Sequence, residues 1–174
     1  MKVSIKNFQI FSTIFVMILG TLLHFTYEWF GENLFIASFS AVNESTWEHL
    51  KLLFYPMLLT TIIGYFYFGK NKHNFLCANA IGILTAISFT TVFFYTYTGI
   101  IGTNFAFLDI GSFFVAVILG EFITYRLLLT NFVCNKRFAF IVLVVLLLCF
   151  VLFTYAPPEI WLFRDPVSNE FGIQ

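Results

Sequence analysis

Residues 138–155, FAFIVLVVLLLCFVLFTY, form an apolar run without a single charged side chain. A helix needs about 20 apolar residues to cross the hydrocarbon core of a bilayer, so this run is long enough for one crossing. Four similar runs precede it, at about residues 8–30, 50–68, 75–97 and 105–129. The sequence therefore predicts an all-α integral membrane protein with about five transmembrane helices in a single domain, residues 1–174.

The overall composition agrees with lipid, rather than water, as the surrounding solvent. Apolar residues make up 60% of the 174 residues and charged residues only 10%, whereas a soluble domain has about 25% charged residues. The 26 phenylalanines are too many for one soluble core of this size. We therefore expect much of this aromatic surface to face acyl chains.

The three cysteines, Cys77, Cys134 and Cys149, lack the CxxC or cysteine/histidine spacing that is typical of a zinc site. Their odd number does not complete a disulfide framework. We expect reduced thiols in packing or loop positions.

Basic residues fall in alternate connections between the predicted spans. They are Lys2 and Lys6, Lys70 and Lys72, and Lys136 and Arg137. Because cytoplasmic loops carry an excess of Lys and Arg, this side is expected to be cytoplasmic, with the amino terminus inside and the carboxyl terminus outside. Of the nine acidic residues, only Glu121 then lies within the membrane. An apolar segment at about residues 33–44 is too short to cross, so it is expected to be interfacial or re-entrant.

Small residues recur at four-residue spacing in the third and fourth spans. They are Ala78, Gly82 and Ala86 in the third span, and Ser112, Ala116 and Gly120 in the fourth. Such stripes let helix backbones approach closely in lipid, so these two spans are predicted to touch.

Three polar side chains, those of His24, Tyr27 and Glu28, lie near the end of the first span. Their spacing of three and four residues puts them on one helix face. A histidine and a carboxylate in this position can bind a metal ion or pass a proton. The alternative is interfacial anchoring by Tyr27 and Trp29, with Glu28 solvated.

A dense polar motif, NESTWEHLK at residues 43–51, leads into the second span. Ser45 and Glu48 fit a capping box, in which the serine accepts from a free helix amide and the glutamate reaches back. Asn43 fits the N-cap position equally well. Capping does not require Glu44 and His49 to be crowded beside these residues. Repulsion between the two glutamates favours a shared proton or a bound cation, so the motif is predicted to bind a ligand or to take part in catalysis.

Glu121 lies one or two turns inside the fourth span, where an ionisable group costs about 2.5–3.5 kcal/mol and should face the protein. Its expected partner is Arg126, or a hydroxyl group from the third span such as that of Ser88 or Thr91. Two interpretations stay open: a proton or ion relay, and a hydrogen-bonded structural group.

The segment after the last span contains two prolines, Pro157 and Pro158, which end the helix. The aromatic residues that follow predict a stiff segment along the interface, in a position to cover the outer mouth of the bundle. Its charged residues, Glu159, Arg164 and Asp165, are expected either to meet the polar groups of the first two spans or, as we favour, to be solvated.

Three stretches carry a resemblance to a known family: residues 41–56 (AVNESTWEHLKLLFYP), residues 94–102 (FYTYTGIIG), and the Pro-Pro pair followed by LFRDP at residues 162–166. Together they resemble a family of small bacterial multi-pass membrane proteins that is known only as a domain of unknown function. The resemblance covers nearly the whole chain and implies a bacterial plasma membrane, but it implies no activity. Ala41 and Trp161 stand where the family pattern often has proline.

An enzyme embedded in the membrane is the first class of function that these residues suggest. The predicted general acid and base residues are His24, Glu28, Glu48 and His49. The predicted metal ligands are His24, Glu28, Glu44 and His49, a set of imidazole and carboxylate groups that suits a divalent ion such as zinc. The chain lacks the H-E-x-x-H spacing of known zinc proteases.

Two further classes stay open. A small ion, proton or solute transporter would use Glu121 as an intramembrane relay, with Glu44 and Asn43 as ligands at the outer face. Because five spans leave little room for a path, such a transporter would need either a homo-oligomer or only a narrow path for protons or ions. The third class is a non-catalytic protein that docks a membrane partner. In every case the lipid bilayer is the expected surrounding, and nucleic acid is not an expected partner.

Overall fold

The computed structural model describes residues 4–173, and its regular structure there is helical apart from one isolated bridge between Arg164 and Phe171. Lys2, which was used for the orientation, lies outside the described residues. The helices are α1 (Ile5–Trp29), α2 (Leu34–Ala37), α3 (Thr46–Phe68), α4 (Phe75–Ile101), α5 (Ala106–Leu128) and α6 (Lys136–Tyr155). All but α2 are long and apolar enough to cross a membrane. The predicted fold class of five spanning helices is thus confirmed.

Helices α4 and α5 pack closely through the predicted small residues. A Cβ atom added at Gly82 would lie 2.6 Å from the carbonyl oxygen of Gly120, and one added at Gly120 would lie 2.7 Å from the carbonyl oxygen of Gly82. The hydroxyl of Thr124 crosses the same contact and donates to the carbonyl of Ala78 at 3.3 Å. The predicted contact between these spans is confirmed, and the two glycines leave room for the backbones to approach closely.

Helices α1 and α3 meet at a proline and a glycine. Pro56 lies inside α3 and has no N–H group, so the carbonyl of Leu52 lacks its usual helical hydrogen bond. This carbonyl faces Gly20 of α1, where an added Cβ atom would lie only 2.5 Å from the oxygen. Gly20 therefore lets α1 approach the part of α3 whose backbone ladder is interrupted.

The short segment between α1 and α3 packs against the bundle through part of its length. Ala37 and Ser40 are completely buried. The Ser40 hydroxyl accepts a hydrogen bond from the backbone N–H of Tyr27 at 3.0 Å, and the hydroxyl of Tyr55 donates to the carbonyl of Ser38 at 2.6 Å. Side chains thus satisfy backbone groups of this segment that no long helix would satisfy.

The bundle has two chemically different ends. We call the end with α2, the start of α3 and the end of α6 the polar end. The opposite end carries Lys6, Lys70, Lys72, Lys136 and Arg137 and is called the basic end. Asn74 links two connections there, because its side-chain amide donates to the carbonyls of Leu127 and Thr130 at 2.8 and 3.0 Å.

A disulfide joins Cys77 at the start of α4 to Cys134 in the connection before α6. The expectation of reduced thiols is therefore wrong for these two residues, although Cys149 is free. The two cysteines are 57 residues apart in the sequence. Their pairing depends on how the helices pack and could not be recognised from the spacing of the cysteines. The disulfide lies at the basic end. The positive-inside rule places this end in the cytoplasm, where thiols are kept reduced, so the two indications of orientation conflict.

The carboxyl-terminal tail packs onto the polar end. After a short 3-10 turn at Trp161–Phe163, the buried ring of Phe163 contacts the ring of Trp47 with centroids 4.8 Å apart. Asp165 is only 6% exposed, so the expectation that it is solvated is wrong. Its carboxylate accepts from the backbone N–H of Val167 at 2.7 Å and closes a turn that brings the tail back. Tail packing and local hydrogen bonds together account for this burial.

Candidate metal centre

Three side chains from separate parts of the chain converge at the polar end. His24 comes from the last turns of α1, Glu44 from the turn before α3, and His49 from the first turn of α3. Nε2 of His24 lies 3.8 Å from Oε1 of Glu44, and Nε2 of His49 lies 3.4 Å from Oε2 of the same carboxylate. The two imidazole rings are 5.2 Å apart between centroids. One ligand atom from each residue lies within 4.8 Å of the other two.

The ring of His49 is oriented by the helix that carries it. Its Nδ1 lies 2.9 Å from the carbonyl oxygen of Ser45. A carbonyl can only accept, so Nδ1 carries the proton and donates this hydrogen bond. In the neutral ring Nε2 then presents a lone pair toward Glu44, which is the arrangement of a metal-binding histidine whose other nitrogen is held by a second group.

His24 is held differently. Its side chain is partly exposed, but Nδ1 is buried and has no hydrogen-bond partner among residues 4–173. Its Nε2 is the nitrogen that faces Glu44. The two histidines therefore point the same ring nitrogen at one carboxylate, and only His49 has the supporting hydrogen bond.

The turn before α3 is shaped by its own polar residues. Ser45 is the N-cap of α3, and its hydroxyl accepts from the backbone N–H of Glu48 at 3.4 Å. Asn43 accepts from the N–H of Ser45 at 2.9 Å and donates to the carbonyl of Gly172 in the tail at 2.8 Å. These bonds fix the backbone on both sides of Glu44, whose side chain remains 49% exposed.

Glu48 points away from the candidate centre. Its carboxylate forms an ion pair with Lys51, and both side chains are buried, Lys51 completely. The Lys51 ammonium also donates to the carbonyl of Ala37 at 2.8 Å and to the hydroxyl of Thr154 at 2.9 Å. Glu48 accepts from the N–H of Val42 at 3.1 Å. This second cluster joins α3, α6 and the segment between α1 and α3.

Two other predicted site residues lie outside the group of three. Glu28 is exposed, although it is one helical turn from His24. Glu121 is buried at 3% exposure, and its carboxyl group accepts from the Ser12 hydroxyl at 2.8 Å and from the side-chain amide of Gln9. The expected partners of Glu121 on α4 and at Arg126 are therefore wrong, because α1 supplies both groups.

Several polar partners of the predicted site residues could not be recognised from the sequence. Lys51 is three residues from Glu48, a spacing that indicates an ion pair on one helix face. Thr154 and Gln9 gave no comparable signal, because their partners are 103 and 112 residues away in the chain.

The geometry of the three residues fits a divalent ion after small side-chain rotations. Zinc bonds to nitrogen and oxygen of about 2.0–2.2 Å in a tetrahedron put ligand atoms about 3.3–3.6 Å apart. The histidine nitrogens lie 3.4 and 3.8 Å from two different oxygens of the Glu44 carboxylate, and one ligand atom from each of the three residues lies within 4.8 Å of the others. The side chains would therefore have to draw together to hold one ion. Two imidazoles and one carboxylate leave a fourth position open, as in catalytic rather than structural zinc sites.

Comparison with known sequences identifies a family. The profile of a family of unknown function, DUF6512, matches residues 1–173. The chain belongs to this family. Searches of the curated proteins and of the solved structures gave no match. Membership confirms the expected resemblance to a family of unknown function and, like that resemblance, assigns no activity.

Proposed function

We propose that this chain is a membrane metalloprotein, with a divalent metal ion such as zinc held by His24, Glu44 and His49 at the polar end. The observation that carries the proposal is the hydrogen bond from Nδ1 of His49 to the carbonyl of Ser45. In the neutral ring this bond leaves the Nε2 lone pair facing the Glu44 carboxylate at 3.4 Å, an acceptor opposite an acceptor. A cation between them removes this repulsion.

Protonation of the histidines is the alternative way to balance the negative charge of the Glu44 carboxylate. An imidazolium at His49 would pair with Glu44, but a second one at His24 would lie 5.2 Å away between ring centroids and repel it. A metal ion uses the lone pairs of both rings at once and needs no extra proton. The set of two nitrogens and one oxygen is the ligand type that zinc prefers.

The reaction class that fits best is metal-assisted hydrolysis at the membrane surface. A divalent ion with an open position activates a bound water for attack on an ester or amide bond. Glu44 is half exposed and His24 and His49 are each about one-third exposed, so a substrate can reach them from the interface. Glu28, exposed and one turn beyond His24, is the carboxylate placed to exchange protons with solvent.

The orientation belongs to the same proposal. We place the polar end outside a bacterial plasma membrane, because basic residues in alternate connections set the overall topology. The disulfide at the basic end is the observation against this orientation. Labelling intact cells with an impermeant thiol reagent tests it: Val167→Cys in the tail should react and Asn71→Cys should not, and the reverse pattern would invert the topology.

Transport through Glu121 receives less support. Gln9 and Ser12 already hydrogen bond its carboxyl group, which gives it a structural role. His24 is 12 residues further along α1 than Ser12, which is about 18 Å of helix. The buried side of that stretch includes Val16, which is completely buried in the apolar core, and Gly20, which packs against α3. A relay would have to cross this apolar layer.

Metal analysis of the purified full-length protein tests the proposal. After equilibration with zinc and removal of free metal, the wild-type chain should retain about one zinc ion, and a His24→Ala/His49→Ala double variant should retain almost none. His73→Ala is the matched control, because His73 lies at the basic end and should leave the zinc content unchanged. A wild-type protein without stoichiometric metal, or equal metal in the double variant, would overturn the proposal.

A further inference from the structure

A groove opens between α3 and α6 at the basic end of the bundle. The two helices contact each other near the polar end, where the rings of Phe54 and Phe150 lie 4.8 Å apart between centroids. Toward the basic end they leave a cavity of about 610 Å³. Its walls are apolar, with Leu58 and Ile62 on α3 facing Val144 and Leu147 on α6.

The length of the groove corresponds to one leaflet of a bilayer. Along α3 it runs from Leu58 to Gly69, and along α6 from Leu147 back to Lys136. Each stretch rises over 11 residues, which is about 16 Å of helix. The hydrocarbon core of a bilayer is about 30 Å thick, so the groove spans about half of it.

The mouth of the groove is basic. Lys72 and His73 from the α3–α4 connection and Lys136 and Arg137 from the start of α6 line it, and none of the described lining residues is acidic. The disulfide holds this mouth together, because Cys134 lies two residues before Lys136 and is bonded to Cys77 on α4. The charges are thus gathered where lipid headgroups lie.

A second groove provides an internal comparison. It runs along α4 with a volume of about 660 Å³ and is lined by Ser88, Phe89, Val92 and neighbouring residues, none of them charged. That surface can contact acyl chains, but it has no charged side chain that could bind a lipid headgroup. The α3–α6 groove differs by its cluster of basic groups, which makes it selective for an anionic amphiphile.

We propose that the α3–α6 groove binds one anionic phospholipid from the leaflet at the basic end. The phosphate group lies between Lys136, Arg137 and Lys72, where the Arg137 guanidinium can contact two phosphate oxygens at once. One acyl chain lies along the apolar walls of α3 and α6. A site of this kind is independent of the candidate metal centre, which lies at the other end of the bundle.

Native mass spectrometry of the delipidated full-length protein tests the site with three probes: phosphatidylglycerol, phosphatidylcholine and glycerol 3-phosphate. Phosphatidylglycerol should bind at least about tenfold more tightly than phosphatidylcholine, and glycerol 3-phosphate should not bind measurably. Lys136→Gln/Arg137→Gln should weaken phosphatidylglycerol binding about thirtyfold, at roughly fivefold for each charge near a headgroup. Lys6→Gln/Lys70→Gln is the matched control, since it removes two exposed charges from the same end without touching the groove.

Further results separate a specific lipid site from general lipid adhesion and from a simple anion site. Ile141→Trp fills the groove wall and should weaken phosphatidylglycerol binding while all basic residues remain. Equal affinity for the two lipids, or equal losses in the Lys136/Arg137 and Lys6/Lys70 variants, would show general lipid adhesion and overturn the proposal. Binding of glycerol 3-phosphate as tight as that of the lipid would show an anion site and would also overturn it.

Discussion

The start of α3 carries two polar clusters that are partnered to very different degrees. On the inward face, the buried ion pair of Glu48 and Lys51 has additional hydrogen bonds to Val42, Ala37 and Thr154. On the outward face, His49 and His24 point ring nitrogens at the Glu44 carboxylate, at 3.4 and 3.8 Å. Protein groups satisfy the charges of the inward cluster. The outward cluster needs a proton or a cation between its nitrogens and the Glu44 carboxylate.

This difference separates structural from functional polar residues within a single motif. Burying a charge is tolerated when each of its atoms is paired, and the inward cluster meets that condition. The outward cluster is partly exposed and brings acceptors together, which contributes no stability to the fold by itself. We therefore expect changes in the inward cluster to reduce folding stability, and changes in the outward cluster to reduce metal binding.

The largest effect is expected from Lys51→Met. This change leaves the buried Glu48 carboxylate without its ion-pair partner and frees the carbonyl of Ala37. Removing one partner of a buried pair costs about 3–5 kcal/mol. Denaturation in mixed detergent micelles should show this loss in the free energy of unfolding.

A double variant makes that test specific. Glu48→Leu/Lys51→Met replaces both charges by apolar groups, so it should recover most of the stability that Lys51→Met loses. If the double variant is as unstable as the single one, the pair does not act as a unit. If Lys51→Met is as stable as the wild type, the inward cluster is not structural.

The next effect is expected from Glu44→Gln, which removes the negative charge of the outward cluster and keeps its shape. Zinc affinity, measured by competition with a chelator, should fall by at least about 100-fold, or about 2.8 kcal/mol. The free energy of unfolding of the metal-free protein should stay within about 0.5 kcal/mol of the wild type. A loss of folding stability without a change in zinc affinity would reverse the roles of the two clusters.

A smaller effect is expected from Ser45→Ala, because Ser45 belongs to both clusters. Its hydroxyl caps α3 by accepting from the N–H of Glu48, and its carbonyl oxygen holds Nδ1 of His49. The substitution removes only the hydroxyl, so the free energy of unfolding should fall by about 1 kcal/mol. The zinc content should remain one per chain. Loss of zinc in this variant would show that the cap, rather than the carbonyl, orients His49.

The smallest effect is expected from Glu28→Gln. Glu28 is exposed and lies outside the group of three. Zinc affinity should change less than about threefold, and folding stability should not change measurably. A large loss of zinc in this variant would return Glu28 to the ligand set that the sequence predicted.

The sequence predicted the spanning helices and their local features well. Apolar runs give the helices directly, the spacing of Gly82 and Gly120 indicated the α4–α5 contact, and the Ser45 cap followed from local residue types. These features depend on neighbours along one helix or on stripes of small residues. They can be recognised without knowing how the bundle is assembled.

Long-range pairings could not be predicted in the same way. Helices that are apolar all round have no clear inward face, so nothing in the sequence shows which side of α3 meets α6. That is why Lys51 could not be paired with Thr154, Glu121 with Ser12, or Cys77 with Cys134. The grouping of His24 with His49 was predicted only as one of several arrangements at the outer face.

Cobalt substitution shows directly whether His24, Glu44 and His49 hold a metal ion, because the visible absorption of Co²⁺ reports both its ligands and its coordination number. Titration of the metal-free full-length protein with Co²⁺ should give an intense spectrum typical of a four-coordinate nitrogen and oxygen site, saturating at one ion per chain. The spectrum should be lost in His24→Ala/His49→Ala and kept in His73→Ala. A wild-type spectrum identical to that of Co²⁺ in detergent buffer, or one that is unchanged in the double variant, would contradict the account.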